Sequence, residues 1–168
     1  MKFKLRKFRK GDEESLRANI NDITIYRNTS TVPYPYTKKH ADQWVKRNLK
    51  LNRQRNPAEI NFVIEIEGEV AGSVGLTKID RKNRNAELGY WLGKEYRNQG
   101  VMTKAVNETL KFGFSKLKLK RIDGYVFSFN KPSQKVMEKV GLKKEGFLRS
   151  AIYKDGKYLD LFLFAKIK

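Results

Sequence analysis

Ala86-Glu87-Leu88-Gly89-Tyr90-Trp91-Leu92, followed four residues later by Arg97-Asn98-Gln99-Gly100-Val101-Met102-Thr103, is the stretch that decides how this chain folds. The first segment reads as a strand. The second reads as a short loop that opens a helix with apolar positions at Val101, Met102, Ala105, Val106 and Leu110. A strand, a glycine turn and a helix N-terminus together make a ready anion site, because the first backbone N–H groups of a helix lack intrahelical partners. Such a site suits the pyrophosphate of a nucleotide-like cofactor.

Working outward from this unit, the upstream sequence alternates. Asn61–Glu67 carries Phe62, Ile64 and Ile66 on one face, Glu67-Gly68-Glu69 turns, and Val70–Ile79 returns with Gly72 and Gly75 inside it. With Ala86–Leu92 these make a three-strand meander. Gly72 and Gly75 mark a place where the sheet bends. Further upstream, Lys2–Phe8 reads as a strand and Asp12-Glu13-Glu14 as a helix start with acids in its first turn. Pro33 and Pro35 exclude helix interior. Thr37 then caps a helix with Ala41, Trp44, Val45 and Leu49 on one stripe. Downstream come a helix over Val101–Leu117, a strand over Arg121–Phe127 and a helix over Pro132–Val140, with Gly141 placed where its C′ residue needs positive φ. Lys144–Tyr153 and Lys157–Ala165 close the chain as a hairpin around Asp155-Gly156. The order β-α-α-β-β-β-α-β-α-β-β gives an α+β fold: one domain over residues 1–168, a mixed sheet of about seven strands with about four helices, and one right-handed parallel crossover.

The chain has 168 residues, enough for a sizeable single core. It has no cysteine, which excludes disulfides, thiolate metal sites and a cysteine nucleophile, and fits a reducing compartment. Its one histidine, His40, cannot build a metal site alone, so no metal is expected. Met1–Lys10 carries six basic residues but leads into Gly11-Asp12-Glu13-Glu14 rather than an apolar run. No signal peptide, no membrane span and a cytoplasmic location are therefore expected. Lys and Arg outnumber Asp and Glu 37 to 18, a net charge of +19 that favours anionic partners. The basic clusters at Lys46–Arg55, Arg81–Arg84 and Lys116–Arg121 are dispersed, and none forms a nucleic-acid motif. A surface merely rich in lysine explains them as well as an RNA or ribosome contact does.

A second segment sharpens the reading. Asn130-Lys131-Pro132-Ser133 ends one strand and begins a helix that runs through Met137 and Glu138-Lys139 to Gly141-Leu142. Taken with Arg97-x-x-Gly100-x-Met102, with Glu87-Leu88-Gly89-Tyr90-Trp91-Leu92 and, more loosely, with Pro35-Tyr36-Thr37, it resembles the GNAT acetyltransferases, and among them the RimJ/RimL-type protein N-acetyltransferases. The resemblance covers most of the chain.

It implies acetyl-CoA as co-substrate. The loop residues Arg97, Asn98, Gln99, Gly100, Val101, Met102 and Thr103 would lie at its pyrophosphate, with Arg97 either pairing with phosphate or shaping the loop. Met102 stands where the family has Gly or Ala, and its thioether is expected to narrow the loop. The resemblance also implies that the strand holding Glu87 splays from Arg121–Phe127, exposing backbone for the pantetheine arm, with an amide near Trp91 or Leu92 facing the thioester oxygen. Glu87 falls where that branch has its proposed general base, and Ser133 where it has the group that meets the departing thiolate. Asn130 either bonds the cofactor arm or caps its helix. Met137 occupies the position of a tyrosine used by many relatives and cannot replace it. Tyr34, Tyr36, Trp44, Tyr90 and Trp91 line either an acceptor groove or the core.

The expected activity is transfer of acetyl to a primary amine, with a protein N-terminus of ribosomal-protein type as acceptor, by a monomer or homodimer. Two alternatives stay open: an inactive nucleic-acid or ribosome-binding module on the same fold, and a small-molecule amine acetyltransferase.

Overall fold

The computed structural model describes all 168 residues, Met1–Lys168. Seven strands form one mixed sheet. In chain order they are β1 (Lys4–Lys7), β2 (Ile60–Ile66), β3 (Glu69–Asp80), β4 (Asn85–Leu92), β5 (Arg121–Phe127), β6 (Lys143–Lys154) and β7 (Lys157–Ile167), and they lie side by side as β1-β2-β3-β4-β5-β7-β6. Every pairing is antiparallel except that of β4 with β5, which are joined by the crossover helix α4 (Val101–Ser115). The other helices are α1 (Glu13–Ile20), α2 (Ile23–Asn28), α3 (Lys38–Asn52) and α5 (Lys131–Lys139), with a single 3-10 turn at Lys94–Tyr96. No helix is long and apolar enough to cross a membrane.

The α+β class, the strand count and the single parallel crossover agree with the sequence reading; the helix count does not. Five helices form rather than four, because Ile23–Asn28 is helical. Its β-branched sequence Ile-Thr-Ile carries no strong helix signal. The Asp22 side chain stabilises it by accepting from the backbone N–H and the hydroxyl of Thr24, and Ile25 is buried beneath it.

Two cores sandwich the sheet. On one face α4 and α5 cover Ile64, Val74, Leu76, Ala86, Leu88, Ile122 and Phe164. On the other, α1, α2 and α3 cover Phe8, Val63 and Val70. Adjacent residues Val63 and Ile64 point to opposite cores, as the period of a strand requires, and each has no exposed surface. In β4 the same alternation sends Ala86 and Leu88 toward α4 and α5 while Trp91 packs on the α1–α3 side. Of the aromatic residues read from sequence as an acceptor groove or core, Tyr36, Trp44 and Trp91 take the core position and only Tyr34 is largely exposed. His40 completes a capping box with Thr37 at the start of α3.

Gly72 sits at the bend that the sequence suggests. The β2–β3 register shifts next to it, between Ile64 and Glu65. It pairs with Leu92 at the far end of β4, where an added Cβ would stand 2.6 Å from the carbonyl oxygen of Trp91. The close approach of two backbones, rather than an unusual φ, is what requires glycine there. Gly72→Ala should therefore lower unfolding free energy by about 1–3 kcal/mol, the usual range for forced overpacking. A urea titration with an unchanged m-value would show it.

Candidate active site

The parallel β4–β5 ladder pairs Asn85 with Arg121, Ala86 with Ile122, Glu87 with Asp123 and Leu88 with Gly124, and then stops. Beyond that point Gly89–Leu92 keep their antiparallel partner β3, and Tyr125–Phe127 keep β7, but the two strands no longer pair with each other. A wedge opens between them. Gly124 stands at its apex: a Cβ there would come within 2.6 Å of Met137 Cε. Met137 is buried in the core beneath the apex.

Just past the end of β4, the chain turns into α4. Asn98 at φ 63° and Gly100 at φ 74° are both left-handed, curling the loop tightly before the helix. No side chain caps the α4 N-terminus. Its first-turn amides, from Val101 through Thr103, are therefore aimed at the mouth of the loop with the helix dipole behind them. Gln99 is tied back by its side-chain amide to Glu95 O. Arg97 pins the loop: Nε donates to Leu92 O at 3.0 Å, Nη1 to Thr24 Oγ1 at 2.8 Å, and Nη2 to Asp22 Oδ2 at 2.9 Å. Of its two candidate roles, shaping the loop is the one these contacts perform. Met102 departs from expectation. Its side chain is buried in the core under the sheet and does not narrow the loop, because the second position of α4 faces inward.

Glu87 lies at the closed end of the wedge, on the α1–α3 face, paired with Lys78 Nζ at 2.8 Å. Asp123, its register partner, points the same way; sequence reading passed over this residue. The position shows only when the strands are set side by side and their alternation compared. Asp123 Oδ1 is buried and accepts no well-aligned hydrogen bond, although Arg121 Nε lies 2.6 Å away, out of line. Burial raises the Asp123 carboxyl above the ordinary carboxylate value; the charges of Glu145 and Glu87 push the same way, against Arg121. Two carboxylates thus share one corner of the wedge.

The opposite face holds a hydroxyl pair. Ser133, in the first turn of α5, has its Oγ 2.8 Å from the hydroxyl of Tyr90. Burial pushes that phenol up to about 12. Tyr90 therefore belongs to this pair rather than to an acceptor groove on the other face. Asn130 Oδ1 accepts from Ser133 N at 3.2 Å, so its side chain caps α5.

A splayed parallel pair, an uncapped helix N-terminus at its mouth and carboxylates at its apex are features that hold and activate a thioester carried on a pyrophosphate-bearing arm. The comparisons agree. Residues 2–143 match the acetyltransferase (GNAT) domain. The uncharacterised N-acetyltransferase p20 of Bacillus licheniformis is 30% identical over 165 residues, 98% of this chain and 92% of that protein. The putative ribosomal N-acetyltransferase YdaF of Bacillus subtilis is 30% identical over 118 residues, 68% of this chain and 64% of that protein. A spermidine N(1)-acetyltransferase of Escherichia coli is 27% identical over 155 residues, 92% and 80% of the two chains. Among solved structures, Mycobacterium smegmatis RimJ in complex with CoA-disulfide superposes with a TM-score of 0.85 at 26% identity, covering 97% of this chain and 80% of that one. The chain belongs to the GNAT acetyltransferase family. It is an acetyl-CoA-dependent N-acetyltransferase. No cluster of three or more metal-ligating side chains is present.

The Asp123 environment makes a signed prediction. A carboxyl raised in the fold binds its proton more tightly there than in the unfolded chain. Ionising it costs stability, which falls as pH rises from the ordinary value of 3.8 through the raised one. Asp123→Asn should melt above the parent at pH 7, with the gap closing as pH drops below 3.8. Melting curves across that range would show it.

Proposed function

We propose that this enzyme acetylates the N-terminal amine of a protein, with ribosomal-protein-like chains as the acceptor class. The observation that carries the transfer reading is the ladder that stops at Leu88 and Gly124 directly before an uncapped helix N-terminus. The acceptor class is supported by the likeness to YdaF and by a charge of +19, which steers acidic or RNA-seated acceptors. A small-molecule amine as acceptor is the second reading, favoured by the spermidine acetyltransferase relative and by the paired carboxylates of Glu87 and Asp123.

Acetyl-CoA supplies an acetyl thioester to the wedge. The backbone amides of Gln99 to Thr103, with the α4 N-terminus behind them, hold its phosphates, and the Thr103 hydroxyl adds a donor. The free edge of Gly89–Leu92 takes the pantetheine arm as an added strand. A backbone N–H at Trp91 or Leu92 donates to the thioester oxygen as negative charge develops there, an interaction worth about 3 kcal/mol at comparable sites.

Glu87 takes the proton of the incoming ammonium, directly or through water, so that the amine attacks as a free base. Lys78, 2.8 Å away, orients it. Ser133 donates its hydroxyl proton toward the departing sulfur. Tyr90, whose hydroxyl lies 2.8 Å from Ser133 Oγ and also donates to the Ser133 carbonyl, holds the serine in place for that donation.

Thermal melting with acetyl-CoA is the first test. Ligand at 100 times its dissociation constant should add about 2.7 kcal/mol. The gain should persist at about 0.5 M salt, because backbone amides and the pantetheine arm carry most of the recognition. Binding by phosphate contacts alone, as in a nucleic-acid module, would collapse with salt. No stabilisation at either salt concentration overturns the transfer reading.

Glu87→Gln should lower kcat by about 10²–10⁴ while the acetyl-CoA melting shift stays. Equal turnover across pH would remove Glu87 from the base role. Ser133→Ala and Tyr90→Phe should each slow turnover, and the double variant should be no slower than the worse single one, since both disable the same donor. Additive losses would separate the two residues.

A further inference from the structure

The β6–β7 hairpin reaches across the wedge to α2. Its Lys154 Nζ donates to Thr29 O at 2.5 Å and to Tyr26 O, and lies 3.9 Å from the centre of the Tyr26 ring. The Tyr26 hydroxyl in turn donates to Asp155 Oδ1. Beside this clamp lies an open cleft of about 390 Å³ lined by Arg27 from α2, by Lys154, Asp155, Lys157 and Leu159 from the hairpin, and by Phe129 just past β5.

The charges in it are unequal. Lys154 is held by the α2 carbonyls, and Asp155 is held by Tyr26. Arg27 and Lys157 are exposed and form no ion pair. Phe129 is 51% exposed and stacks on Phe127, the last residue of β5, with ring centres 5.2 Å apart. Phe127 follows Asp123 at four residues' distance and therefore shares its face of the sheet. Phe127 lies about 13 Å from Asp123 along β5 at ~3.3 Å per residue, and Phe129, stacked on it, borders the cavity.

We infer that this cavity is the acceptor's second anchor, an anion-binding pocket that selects peptides with acidic side chains three to five residues from the amine being acetylated. The inference rests on the acetyl-transfer reading and names its acceptor. The amine, cationic before it reacts, is drawn to Glu87 and Asp123; the acidic side chains downstream meet Arg27 and Lys157, and the backbone between them crosses Phe129. About four extended residues span the stretch from Asp123 to Phe127, beside the cavity. A free amino acid is too short to reach both anchors, because its carboxylate sits one carbon from its amine. A polyamine would bring a second cation to Arg27 and Lys157.

Two hexapeptides decide it, one with aspartate at positions three to five and one with asparagine there, each labelled at its C-terminus. The aspartate peptide should be preferred at least tenfold in kcat/KM. In Arg27→Glu/Lys157→Glu that preference should fall at least tenfold. Lys46→Glu, a reversal on the outer face of α3, should leave the preference in place. Equal kcat/KM for the two peptides, faster acetylation of spermidine than of either, or an equal effect of the Lys46 reversal would each overturn the pocket.

Binding of the labelled peptides, read by anisotropy, needs no turnover. Equal dissociation constants overturn the pocket whatever the activity. A retained acidic preference in binding, without acetylation of any peptide, supports the pocket and counts against the transfer reading instead. The melting shift with acetyl-CoA checks that the double variant is folded.

Discussion

The structure turns on where one ladder of hydrogen bonds ends. Parallel strands usually pair along their length, and leaving backbone N–H and C=O groups without a partner at the centre of a sheet is costly. Here β4 and β5 pair for four residues and then part. Each is held from its outer side, β4 by β3 and β5 by β7, so neither can drift across to close the gap. The wedge is a stable property of the sheet because the rest of the sheet fixes both of its walls. Everything else in the site is arranged around it.

The two faces of the wedge carry different chemistry because strands alternate. On the α1–α3 face, odd-numbered positions bring Glu87 and Asp123 to one corner, with Lys78 and Arg121 beside them. On the α4–α5 face, Tyr90 reaches the first turn of α5 and meets Ser133. Proton removal from an amine and proton delivery to a leaving group need groups of opposite character on opposite sides of one bond. In the proposed mechanism a single sheet would supply both by turning successive side chains in opposite directions. Arg97 couples this frame to the outer helices, tying the end of β4 and the start of α2 to the loop before α4.

Much of the fold was legible because its signals were local. Alternation in residues 61–67 and 86–92, the Thr37 cap and the two turn glycines Gly100 and Gly141 each act within a few residues. Gly100 and Asn130 stand at the N-termini of α4 and α5, where the strand–loop–helix reading starts those helices. What was not legible involved partners distant in sequence. The helix at Ile23–Asn28 depends on a cap and on burial of Ile25 rather than on propensity. Met102 reads as a loop residue but turns into the core, since the facing of a first helical turn depends on the layer beneath it. Asp123 is an unremarked acid in a strand until Glu87 is set beside it, 36 positions away.

The sequence by itself determined all of the elements but α2, the family and the glycine turn before α4, because periodicity, capping and glycine conformations are short-range physics. Only the tertiary structure decided how long the β4–β5 ladder runs, which hydroxyl meets Ser133, and that the hairpin tip closes against α2 through Lys154 and Asp155. Those are contacts between residues 36 to about 130 positions apart. They are settled by which surfaces the two cores press together, and no local pattern of residues encodes that.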